Sequence, residues 1–181
     1  MPRIKALQPS EASPKAQDLL AAVKAKIGMT PNMMKTMAQS AAVLEGYLGL
    51  SGALGAGILN PPLREQIALA VGQANSCQYC LSAHSTIGKM VGLKPEEIAA
   101  SRRATATDPK VAAALRFVQA LVVHKGMVDD SALSAVRDAG YTDAEIVEIV
   151  AHVALNVFTN YFNHVAGTEI DFPKVDVSLA T

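Results

Sequence analysis

The chain contains two cysteines, and both fall in the stretch SCQYCLSAHS, residues 76–85, with a histidine close behind them. On a helix, side chains three and four positions apart share a face, so Cys77, Cys80 and His84 form a single stripe. Near a helix N-terminus the backbone favours negative charge, which lowers the thiolate pKa, and the thiolate is the nucleophile. A thiolate that attacks a peroxide becomes a sulfenic acid, and a neighbouring thiol condenses with it to a disulfide. A histidine one turn on suits proton transfer near neutral pH. The same three residues also fit two other readings: a Cys2His-type metal site, and cysteines that are simply buried core. The metal reading lacks a visible fourth ligand, which His124, His152 or His164 would supply only through tertiary folding.

Glu65 is the second element of the pattern. Between Gln66 and Leu93 the only Lys, Arg, Asp or Glu is Lys89, so Glu65 is placed to accept a proton if its helix faces the cysteine helix. Its ordinary reading is a carboxylate favoured by the dipole at a helix start. Of the other histidines, His124 before Gly126 reads as a helix-end group, and His152 in IVAHVAL as a core histidine with one hydrogen bond. Asn156, Asn160 and Asn163 read as caps or cross-links between helices. Met33, Met34 and Met37 read first as packing and second as lining for an apolar substrate. Tyr47 and Tyr79 are weaker candidates.

Helix punctuation recurs around these residues, and no segment alternates in the manner of a strand. Ser13-Pro14 opens a helix that ends near Gly28, and Thr30-Pro31 repeats the device before NMMKTMAQ. Pro61-Pro62 starts LREQIALAVGQA, and Asn75 or Ser76 is placed to cap the cysteine helix. Asp108-Pro109 and Asp129 or Asp130 open two further helices. Thr142 with Glu145 makes a capping box before the longest apolar run, and the tail from Gly167 reads as extended. The fold class expected is all-α, a bundle of about seven or eight helices, as one domain over residues 1–181 with an N-terminal arm at 1–40. Aligning Glu65 with Glu145 also superposes Ala74 on Ala154 and His84 on His164, which raises an internal helix-pair repeat.

Composition narrows the partners. Sixteen basic and sixteen acidic residues cancel and no basic run exceeds Arg102-Arg103, so no nucleic-acid footprint exists. Residues 46–63 carry no charge, but five glycines, two prolines, Ser51 and Asn60 make them a poor membrane span. Those glycines read better as a surface that lets another helix approach. The N-terminus lacks a signal-peptide core, so the cytoplasm is expected, where structural disulfides are rare.

The segment EQIALAVGQANSCQYCLSAHSTIGKMVGL resembles the core of the AhpD-like alkyl hydroperoxidases, within the carboxymuconolactone decarboxylase superfamily. That family's motif places Glu twelve residues before the first cysteine of a C-x-x-C, and His four after the second; Glu65, Cys77, Cys80 and His84 meet each spacing. The similarity covers about residues 60–115 as a redox core, and NYFNHVAGTEIDFP resembles the peroxidase-related branch. The resemblance implies a homotrimer or homohexamer that reduces organic hydroperoxides or hydrogen peroxide, with Cys80 attacking, Cys77 resolving, and His84 and Glu65 relaying protons. It implies electrons from a lipoyl group or a thioredoxin-like protein, and no haem, flavin or metal. One departure stands out: Tyr79 occupies the position before the second cysteine, where the family carries histidine. The alternatives are lactone decarboxylation within the superfamily, and a non-catalytic helical module that binds zinc.

Overall fold

The computed structural model describes residues 1–178. Among them it holds nine α-helices and no strand: α1 Pro14–Ile27, α2 Asn32–Met37, α3 Ala41–Gly55, α4 Pro61–Ala74, α5 Gln78–Met90, α6 Pro95–Arg102, α7 Pro109–Val123, α8 Asp130–Asp138 and α9 Asp143–Ala166. The all-α expectation holds. The count exceeds seven or eight because the glycine-rich segment, marginal on propensity, is helical from Ala41 to Gly55.

Most helix starts follow the local punctuation. The hydroxyl of Ser13 accepts from the Ala16 N–H, Asn60 Oδ1 from the Leu63 N–H at 2.9 Å, and Asp129 Oδ1 from the Ala132 N–H at 2.8 Å. Thr142 and Glu145 close the capping box: the Thr142 N–H donates to Glu145 Oε2 at 2.7 Å, and the Glu145 N–H to Thr142 Oγ1 at 3.2 Å. Two starts differ from expectation. Helix α2 begins at Asn32, one residue later than Thr30-Pro31 suggested, because the Asn32 N–H is capped by Asp171 Oδ2 from the C-terminal tail at 2.7 Å. Neither Asn75 nor Ser76 caps α5. Ser76 instead adopts a left-handed φ of 53°, and Cys77 takes the cap, its Sγ accepting from the Cys80 N–H at 3.3 Å.

Helix α4 is buried on every side, with Gln66 through Gly72 out of solvent, so it is the axis of the bundle. It packs against α5, α6, α7 and α9. Ile67 and Val71 meet Leu115, Val118, Ile149 and Val153 in the larger core. A second core joins Leu20, Met37 and Leu44 of the N-terminal helices to Cys77, Tyr79 and Cys80. The tail after α9 runs back over α5, where the Val175 N–H donates to Ser82 Oγ at 3.0 Å, and the guanidinium of Arg102 donates to the Asp176 carbonyl at 2.7 Å.

The helix-pair repeat has no structural counterpart. Glu65 and His84 sit on two helices separated by a left-handed turn, whereas Glu145 and His164 lie on the single continuous α9. Glu145 is spent on the Thr142 cap and His164 Nε2 on the Asn75 carbonyl at 2.8 Å, so the matched residues do different work. Among the described residues no helix is long and apolar enough to cross a membrane.

Candidate active site

Helices α4 and α5 bring Glu65 and His84 together: Glu65 Oε2 lies 2.7 Å from His84 Nδ1, with both side chains mostly shielded. Occupying Nδ1 fixes the ring and leaves Nε2 for proton exchange. One turn earlier on α5, Cys80 is joined to Cys77 in a disulfide with Cα atoms 5.3 Å apart, within the ordinary span. Both cysteines are buried. They differ in what they face: Cys80 lines a cavity of about 640 Å3 together with Glu65 and His84, and Cys77 lies behind it. The four residues singled out by spacing are therefore clustered, three of them on one cavity wall.

Helix α9 supplies a residue that sequence reasoning placed only as a cap or cross-link. Asn163 Nδ2 donates to Cys80 Sγ and to Met33 Sδ, each at 3.4 Å. A donor aimed at this sulfur favours its thiolate form. Asn160 does cross-link, accepting from Asn75 Nδ2 at 3.0 Å, while Asn156 bonds back to the His152 carbonyl on its own helix at 2.9 Å. Met33 and Met34 line the cavity, and Met33 also packs with Met37 in the second core. Asp171 and Phe172 of the tail complete the wall. No local pattern marks them, since their place depends on how the tail folds back.

Tyr79, at the position of the family histidine, is buried. Its Oη accepts from the Met33 N–H at 3.3 Å, and its ring packs edge-on against Phe172 with centroids 5.8 Å apart. Burial, with the Asp171 carboxylate nearby, pushes its phenol far above the ordinary value. Tyr79 is therefore neutral at any physiological pH and serves as a positioned wall rather than a proton carrier. His152 is buried as expected, and it too lines the cavity; burial and then the neighbouring Arg64 lower its pKa, so the imidazole is neutral. Among the described residues no three His, Cys, Asp or Glu side chains are grouped to hold a metal ion.

The fold and site define an all-helical protein with a cysteine pair at the edge of an organic-sized cavity. The chain belongs to the carboxymuconolactone decarboxylase family, whose pattern matches residues 27–122. The fold is shared with a peroxidase-related protein of Ralstonia eutropha JMP134 with an alkylhydroperoxidase AhpD core (24% identity, TM-score 0.84, covering 94% of this chain and 92% of that one). It is shared too with a peroxidase-related protein of Silicibacter sp. TM1040 (23%, 0.80, covering 93% and 94%). The debrominase Bmp8, solved in complex with 2,3,4-tribromopyrrole, has the same fold (22%, 0.80, covering 93% and 91%). A comparison with curated proteins finds no match.

Proposed function

We propose that the protein is a thiol-dependent hydroperoxide reductase. The observation that carries this reading is the asymmetry of the cysteine pair: the two sulfurs are close enough to bond, and only Cys80 faces the cavity wall that also holds Glu65 and His84. The Cys80 thiolate attacks the terminal peroxide oxygen and the O–O bond breaks. The alkoxide leaves as an alcohol, taking a proton relayed by His84 and Glu65, and Cys80 becomes a sulfenic acid. The Cys77 thiol then attacks the Cys80 sulfur, forming the disulfide and releasing water. Two thiols and one hydroperoxide thus become one disulfide, one alcohol and one water. An external dithiol, a lipoyl group or a thioredoxin-like protein, restores the pair by exchange, and the reducing cytoplasm is the setting that supplies it.

Single-cysteine variants test the roles. In Cys77→Ser, one equivalent of an organic hydroperoxide should leave Cys80 as a sulfenic acid that dimedone traps, and Cys80→Ser should consume no peroxide. The reverse pattern would exchange the two roles, and consumption by neither variant would remove the reading.

A second acceptor chemistry is favoured by the size of the cavity and by the shared fold with a debrominase. The same dithiol supplies the two electrons needed to convert a carbon–bromine bond to carbon–hydrogen, giving the disulfide and hydrogen bromide. Bromide release from a brominated aromatic, stoichiometric with thiol loss, separates it from peroxide reduction.

We also infer self-association through α3, whose Val43 and Leu50 are exposed and whose Gly46, Gly49, Gly52 and Gly55 face open space. The family resemblance makes a trimer or hexamer the expected assembly.

A further inference from the structure

The cavity is apolar along its length and carries a cation at one end. Helices α4 and α5 run antiparallel beside it: a Cβ on Gly72 would lie 3.6 Å from the Cys80 Cβ, while earlier on α4 Glu65 meets His84, later on α5. Arg64 lies beyond that pair, eight residues before Gly72 and about 12 Å from it along the helix axis. Met90, at the end of α5, continues in the same direction; it lines the cavity and is 80% exposed, so the Arg64 end is the open one. Between that mouth and Cys80 the wall includes Met33, Met34, Ile87, Leu155 and Phe172.

Arg64 is the only Lys or Arg lining the cavity among the described residues. Its Nη1 donates to the Leu54 carbonyl at 3.2 Å and to the Gly55 carbonyl, at the C-terminal end of α3, and Gly55 lines the same cavity. Those two bonds hold the planar head at the mouth, where the side chain is partly exposed. Among the described residues Nε and Nη2 have no hydrogen-bond partner and no carboxylate is ion-paired with the head. The carboxylates of the region are committed elsewhere: Glu65 to His84, Glu148 to the Ile58 and Leu59 N–H groups, and Asp171 to the Asn32 N–H. Nε and Nη2 share one edge of a guanidinium, and the N–H groups of that edge match the two oxygens of a carboxylate.

We propose that the cavity takes the hydroperoxide of a long-chain carboxylic acid, its carboxylate held at the mouth by Arg64 Nε and Nη2 and its hydroperoxide carried past the apolar wall to Cys80. The separation of the two ends places the hydroperoxide along the chain rather than beside the carboxylate, and an esterified chain, which lacks the charge, is disfavoured. Two thiols and this substrate become the disulfide, the corresponding hydroxy acid and water. The reducing end rests on the thiol reading above; the Arg64 end is a binding site that is tested without turnover.

The test titrates the disulfide form, in which no thiol reacts, with decanoate and with methyl decanoate, which has the same chain and no charge. Decanoate should bind about tenfold more tightly, the worth of one charge-assisted hydrogen bond, and should move the Arg64 Nε–H resonance, which the ester leaves in place. The preference should vanish in Arg64→Gln and survive in Arg64→Lys, which keeps the charge. Equal affinities in the natural protein, binding of neither probe, or a preference untouched in Arg64→Gln would overturn the proposal. The reduced protein should consume the hydroperoxide of linoleic acid with a kcat/KM about tenfold above that of its methyl ester; equal values, with both consumed, would also overturn it. A protein that consumes neither hydroperoxide yet keeps the carboxylate preference would fail the thiol reading and leave the Arg64 site standing.

Discussion

Cys80 is set apart from Cys77 by what touches it rather than by its place in the motif. The Asn163 amide donates to its sulfur, and the residue's own Oδ1 is buried without a partner. Asn163→Leu removes the donor and the orphaned acceptor together, so stability should change little while the reduced thiol loses its thiolate support. Alkylation of Cys80 by iodoacetamide at neutral pH should slow about tenfold, the worth of one charge-assisted hydrogen bond; an unchanged rate would show that the amide only packs. Glu65, Cys77, Cys80 and His84 were legible in the sequence because their relation is local: one helix face and the helix before it. Asn163, Asp171 and the cavity role of His152 were not, since each reaches the site from an element whose docking is decided by tertiary packing.

At the level of elements, the caps show where local reading succeeds. Asn60, Asp129 and Thr142 cap helices through their own side chains, and the residue type alone announces it. Helices α2 and α5 start one or two residues later than their local punctuation suggests, because a distant carboxylate caps the first and a cysteine sulfur the second. A similar long-range tie fixes the link between α3 and α4. Glu148 of α9 accepts from the Ile58 N–H at 2.9 Å and the Leu59 N–H at 3.1 Å. A Cβ on Gly57 would lie 2.5 Å from Glu148 Oε1, so Gly57→Ala must displace that carboxylate. The variant should lose about 1–2 kcal/mol of stability, read from the urea midpoint. No loss would mean that the N–H groups find water as readily as Glu148.

For the molecule as a whole, α3 and the link that follows it separate two roles of glycine. Gly57 sits against Glu148, whereas Gly49 and Gly52 meet nothing within the subunit, so their smallness serves no contact inside it. Gly49→Ala with Gly52→Ala should therefore stabilise the subunit by about 1 kcal/mol or more through helix propensity, and weaken assembly measured by sedimentation. An assembly left intact would place the subunit contact elsewhere. The glycine spacing is visible in the sequence, but that nothing in the chain lies against Gly49 and Gly52 is not, because that depends on which face the bundle covers. The central claim, a dithiol that reduces peroxide, is tested most directly by intact mass and free-thiol count of the fully reduced protein before and after one equivalent of cumene hydroperoxide. A dithiol peroxidase loses both thiols and two hydrogens in mass, with no added oxygen; two thiols remaining at unchanged mass would rule that activity out.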